Sequence, residues 1–134
     1  MKKYFAALFV ISALSFAACK SKDNPTPAIG GKGGNATLNV TPRHHGRQID
    51  TCTIYIKYNS TDAPTNGQYD DSLQCVLVGG IPVASFTNLK KGNYYLYGFG
   101  WDPTLTPPQH VKGGYAYSIQ TETVQSVDLA ISED

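Results

Sequence analysis

The stretch Tyr94–Trp101, YYLYGFGW, alternates from each residue to the next. Tyr95, Tyr97, Phe99 and Trp101 fall on one side, and Tyr94, Leu96, Gly98 and Gly100 on the other. Neighbouring strand side chains point to opposite faces, whereas a helix repeats every three to four residues. The stretch therefore predicts a β-strand, and the same period recurs around it. ATLNVT (36–41) sets Leu38 and Val40 on one side, and TCTIYIKY (51–58) turns Cys52, Ile54 and Ile56 inward. TVQSVDLAI (123–131) sets Val127, Leu129 and Ile131 on one face, and YAYSIQ (115–120) adds a further strand. LQCVLV (73–78) is almost continuously apolar, the pattern of a strand covered on both faces. PVASFTNL (82–89) leaves two settings open, Ala84 with Phe86 inward or Val83 with Ser85.

Turn signals separate these runs: His45-Gly46, Asn66-Gly67, Gly79-Gly80, Gly92-Asn93, Pro107-Pro108 and Gly113-Gly114. Seven short strands so punctuated predict an all-β, seven-stranded sandwich over residues 36–134. About 100 residues suffice for one core and not for two. Two long loops, 59–72 and 102–114, are candidate functional segments.

The amino-terminal part reads differently. Met1-Lys2-Lys3 is positive, residues 4–18 are largely apolar, and the small pair Ala17-Ala18 precedes Cys19. That three-part pattern predicts an export signal over residues 1–18. Phe16-Ala17-Ala18-Cys19 resembles the lipobox of bacterial lipoproteins, with Phe where Leu is usual. The resemblance implies a diacylglycerol on the Cys19 sulfur and acylation of the new amino terminus, as with palmitate. One acyl chain holds a protein only marginally, whereas two or more anchor it stably. Residues 19–35 carry prolines, glycines and charges around a single large apolar residue, Ile29, and read as a flexible linker. Lys20-Ser21-Lys22-Asp23 loosely resembles the surface-export signal of Bacteroidetes lipoproteins. The expected location is the cell envelope, at the outer membrane and facing outward.

A second resemblance lies in the domain. VASFTNLKKGNYYLYGFG (83–100) is similar to the F-x-N-L-x-x-G-x-Y signature of transthyretin-like, carboxypeptidase-regulatory-like and Cna-B-type domains, through Phe86, Asn88, Leu89, Gly92 and Tyr94 or Tyr95. It implies an immunoglobulin-like sandwich serving as a structural or binding module.

With Cys19 acylated, Cys52 and Cys75 remain, either bonded to each other in an oxidising compartment or packed as two buried thiols. His44-His45, with His110 from another loop, forms a candidate metal set, since imidazole binds zinc and copper. Arg43 and Arg47 flank the pair and form a candidate anion site, because guanidinium matches carboxylate and phosphate as a fork. Asp62, Asp70 and Asp71 supply oxygens of the kind calcium takes. Ser72 lies in Asp71-Ser72-Leu73, which resembles a Bacteroidetes O-glycosylation site. Tyr94, Tyr97, Trp101 and Tyr115 form a candidate aromatic binding surface.

The chain has 11 basic and 10 acidic residues, a formal net charge of +1, which argues against nucleic acid. No nucleophile elbow, phosphate loop or His-Glu-x-x-His motif occurs, so neither an enzyme nor a bound cofactor is expected. The expected function is a membrane-anchored structural or protein-interaction module with an envelope protein as partner. The alternative is a binder of a small ligand: carbohydrate, metal or haem.

Overall fold

A computed structural model describes residues 27–133. The expected export signal and Cys19 lie outside the described residues. Every regular element among those described is a strand: β1 (Lys32–His44), β2 (Arg47–Gln48), β3 (Thr51–Tyr58), β4 (Asp71–Gln74), β5 (Val76–Val78), β6 (Ile81–Leu89), β7 (Gly92–Asp102), β8 (Gln109–Ile119) and β9 (Val124–Ala130). One sheet runs β2-β1-β6-β5, with β9 along the other side of β1, and the second runs β4-β3-β7-β8. All pairings are antiparallel except β1 with β9.

The alternation read from the sequence sets the core between the sheets. Leu38, Val40, Ala84, Phe86 and Leu129 face Cys52, Ile54, Ile56, Leu96, Val111 and Ile119, and all are buried. In β6 the inward face is that of Ala84 and Phe86. Asn88 then takes a left-handed conformation, φ +58°, which shifts the alternation by one and turns Leu89 inward. Asn tolerates that region better than other residues with a Cβ. On β7 the inward Gly98 makes room for the facing sheet: a Cβ there would lie 3.0 Å from both Leu129 Cδ2 and Ile131 Cγ2.

The structure corrects the sequence reading in three places. Nine strands replace seven, partly because the apolar run 73–78 is two strands rather than one covered strand. β4 belongs to the second sheet and β5 to the first, with Cys75 at the crossing. Val76, Leu77 and Val78 are 60–63% exposed on an edge strand. Apolar composition alone cannot distinguish covered strand from exposed edge. The third correction concerns the linker. β1 begins at Lys32, so residues 32–35 belong to the sheet, and Lys32 and Ala36 both pair with Leu89 across a bulge. The glycines there serve close approach, since a Cβ on Gly34 would collide with the Leu89 carbonyl.

Candidate functional site

β1 ends at one open end of the sandwich, where it turns back into β2. His44 pairs with Arg47, so His45 and Gly46 are the two central residues of a hairpin turn. Both have positive φ, +46° and +77°, the pattern of a type I′ turn. Asn or Asp ordinarily precedes Gly in such turns, and histidine is among the residues with a Cβ that tolerate this conformation. The turn sets the two imidazoles side by side, with ring centroids 4.2 Å apart.

His44 points into the molecule and is 1% exposed. Its Nδ1 is 2.8 Å from Oδ2 of Asp102, the last residue of β7 and also 1% exposed. Its Nε2 is 2.5 Å from Oε2 of Glu133. The other Asp102 oxygen accepts from the Thr104 amide at 2.8 Å and the Thr104 hydroxyl at 2.6 Å. Glu133 Oε1 lies 3.6 Å from His45 Nε2. Arg47 Nη2 stands 3.9 Å from Asp102, beside a cleft of about 270 Å³ lined by residues of the segments 47–51 and 101–104. The hydrogen bond that His44 donates to Asp102 raises the His44 pKa; burial opposes this and Glu133 adds to it. Thr104 and then His44 hold the Asp102 carboxyl far below the ordinary carboxylate range. Glu133 is lowered first by its own backbone amide and then by His44.

This cluster joins the two sheets. His44 belongs to the first and Asp102 to the second, while Glu133 follows β9. Past β9, the Ile131 amide bonds to the Arg43 carbonyl at 2.9 Å, and Ser132 then exchanges backbone bonds of 2.7 and 2.8 Å with Lys112 of β8.

The other candidates fall in different places. His110 pairs with Trp101 and therefore shares its outward face. It stacks on Phe99 at 4.6 Å, away from the buried side of His44. Among the described residues, the group able to surround an ion is instead His44, His45 and Glu133. Arg43 is engaged with Asp128 at 2.7 Å, so the two arginines do not form one anion site. Cys52 of β3 and Cys75, between β4 and β5, are neighbours, the Cys75 amide bonding to the Cys52 carbonyl at 2.9 Å. Both are buried thiols, and the Cys75 sulfur together with burial pushes the Cys52 pKa upward. Asp70 is taken up by the Tyr58 amide and Lys57, Asp71 by Lys32, and Asp62 by Thr61, and among the described residues the three acids do not converge. Ser72 is exposed, on strand β4 rather than in a loop.

The aromatic surface needs a correction in membership. Tyr94 is fully buried, its hydroxyl donating to the Lys90 carbonyl at 2.7 Å and accepting from the Gly31 amide at 2.9 Å. Tyr115 is half-buried and packs against the core. The outward face of the second sheet instead carries Tyr55, Tyr69 and Tyr97, with centroids 5.4–6.1 Å apart. Phe99, His110 and Trp101 continue it. Tyr69 comes from the long loop after β3, where no strand period applies to signal its place on this surface. A depression of about 480 Å³ is lined by Tyr55, Gly67, Tyr69, Tyr97 and Phe99.

Among the described residues no helix is long and apolar enough to cross a membrane. Comparison with protein-family models, curated proteins and solved structures finds no match.

Proposed function

We propose that this chain is a lipoprotein of the cell envelope, anchored through acylated Cys19 in the outer membrane, whose sandwich is a non-catalytic protein-interaction module. The observation that carries the interaction reading is the aromatic face of the second sheet. Six rings from β3, β7, β8 and the long loop lie on it in two contacting groups of three. Phe99 and Trp101 remain 39% and 37% exposed. Aromatic rings with a polar tip bury large area at small entropic cost and are enriched at the centres of interfaces.

We further assign the domain to the transthyretin-like, carboxypeptidase-regulatory-like kind of sandwich. The signature residues support this physically: Phe86 and Leu89 are buried, Asn88 makes the shift between them, and Gly92 has φ +142°. A Cβ on Gly92 would collide with Gly30.

The test places a photo-crosslinking residue at position 101 in the full chain expressed in its own envelope, and another at Val124, which is 71% exposed on the other sheet. A discrete adduct from position 101 alone is expected. Adducts equally abundant from both positions, or absent from both, would remove the interaction reading. Cys19→Ser tests the anchor separately and should release the chain from the membrane fraction.

A carbohydrate-binding reading is favoured by one observation, the depression among Tyr55, Tyr69 and Tyr97, since sugar rings stack on such faces. Retention on a glycan array that is lost with Tyr97→Ala would select it over a protein partner.

A further inference from the structure

We infer that His44, His45 and Glu133 form a binding site for one divalent transition-metal ion of the zinc type, with Asp102 orienting His44 from behind. Their ligand atoms all lie within 4.8 Å of one another. Bonds of about 2.0–2.1 Å in a tetrahedral site place neighbouring donors about 3.3 Å apart. The 3.6 Å between His45 Nε2 and Glu133 Oε1 is close to that. Oε1 is then the oxygen that binds, and the 2.5 Å contact of its partner Oε2 with His44 Nε2 must open to admit the ion. Glu133, 39% exposed and past the last strand, is free to make that adjustment.

Three features favour an ion over a plain salt bridge. The first is the support behind the ligand. A metal-bound histidine usually donates its second N–H to a carboxylate, which fixes the ring and raises its basicity. Asp102 stands in that position at 2.8 Å from His44 Nδ1, itself held by two bonds from Thr104. The second is the turn. His45, at φ +46°, closes the turn and brings a second imidazole beside the first, with ring centroids 4.2 Å apart. The third is charge. Arg43 is neutralised by Asp128 and Arg47 is directed at Asp102, so the guanidinium groups beside the pair are partnered.

Two nitrogens and one carboxylate oxygen leave a fourth position. His45 is 65% exposed, so that position opens to solvent, where a water or a partner's side chain completes the set. The ion would take the place of the proton that His44 Nε2 donates to Glu133, while the Nδ1 N–H goes on donating to the Asp102 carboxylate. It would tie the end of β1 to the segment after β9 and, through Asp102, to the second sheet. This site is independent of the aromatic face, and either can fail alone.

The test titrates Co²⁺, then Zn²⁺, into the full chain carrying no polyhistidine tag. One Co²⁺ per chain with the visible absorption of a four- or five-coordinate ion is expected, displaced by one Zn²⁺. His45→Asn keeps a residue suited to the turn and removes the imidazole. Glu133→Gln removes the carboxylate at an exposed position. Each should weaken Zn²⁺ at least about tenfold, given that losing even an outer-shell partner costs 10–100-fold. His110→Ala should leave binding unchanged. Absence of stoichiometric Co²⁺ and Zn²⁺ binding, or binding that both ligand variants retain at full strength, would overturn the assignment.

Discussion

The open end at His44 and the aromatic face around Tyr97 are built on opposite principles. At the open end a few polar groups are buried and each depends on a named partner. His44 and Asp102 are both 1% exposed, and Asp102 takes three hydrogen bonds. On the aromatic face half-exposed rings share their contacts, and Tyr55, Tyr69 and Tyr97 each touch the other two. Removing one partner of a buried charge strands the other, whereas removing one ring from a partly solvated cluster costs mainly its area. The first region therefore has little tolerance for change, and the second is free to vary for recognition.

The largest effect expected is at the open end. Asp102→Ala leaves His44 buried without its Nδ1 acceptor and Thr104 without its carboxylate. Its melting temperature should fall further than that of any substitution on the aromatic face, as scanning calorimetry would show. A loss no greater than that of Tyr97→Ala would break the comparison.

Gly98→Ala sharpens it from within one strand. The new methyl would press on Leu129 and Ile131 at 3.0 Å. Overpacking of this kind costs about 1–3 kcal/mol, to be read from the denaturant midpoint. The neighbouring outward residue should be milder. Tyr97→Ala should cost on the order of 1 kcal/mol or less, the scale of a cross-strand pair. Equal losses at positions 97 and 98 would contradict the division between outward and inward faces.

The smallest effect is a pH dependence far from both regions. Glu122 accepts from the Asn35 and Lys91 amides, and the first of these bonds is the main cause of its lowered pKa. A carboxyl depressed in the folded state stabilises above its unfolded pKa, and the contribution is lost as pH falls through the folded value. The melting-temperature gap between the wild type and Glu122→Gln should therefore be widest near pH 7 and close as the solution is acidified below the ordinary glutamate range. A gap that grows on acidification would reverse the sign.

Much of the fold was legible in the sequence because a two-residue period reports directly which side chains face the core. It places Cys52, Ile54 and Ile56 inward and sets Leu129 with Ile131 on one face, and all of these are buried. Its failures have physical causes. At Cys75 the chain changes sheets, and no periodicity marks that step inside an apolar run. Tyr94 belongs to the inward set of its own alternation, with Leu96. Counting it toward a surface set chemistry against register, and register governs. The site was half legible: His44-His45-Gly46 announced itself as a turn with two donors. The third donor was sought by residue type in His110, but pairing with Trp101 puts His110 on the outer face, whereas Asp102, one residue on, turns inward. Glu133 had no local signal. Only the path of the chain past β9, across Arg43 and onto Lys112, brings it to His44.

The claim that these two regions are separate, one built for an ion and one for a surface partner, is tested most directly by two-dimensional NMR of the full chain during Zn²⁺ addition. The account predicts saturation at one equivalent, with shifts concentrated at His44, His45, Asp102 and Glu133 and the signals of Tyr55, Tyr69 and Tyr97 unmoved. Shifts absent from the histidine turn, or spread equally over the tyrosines, would contradict it.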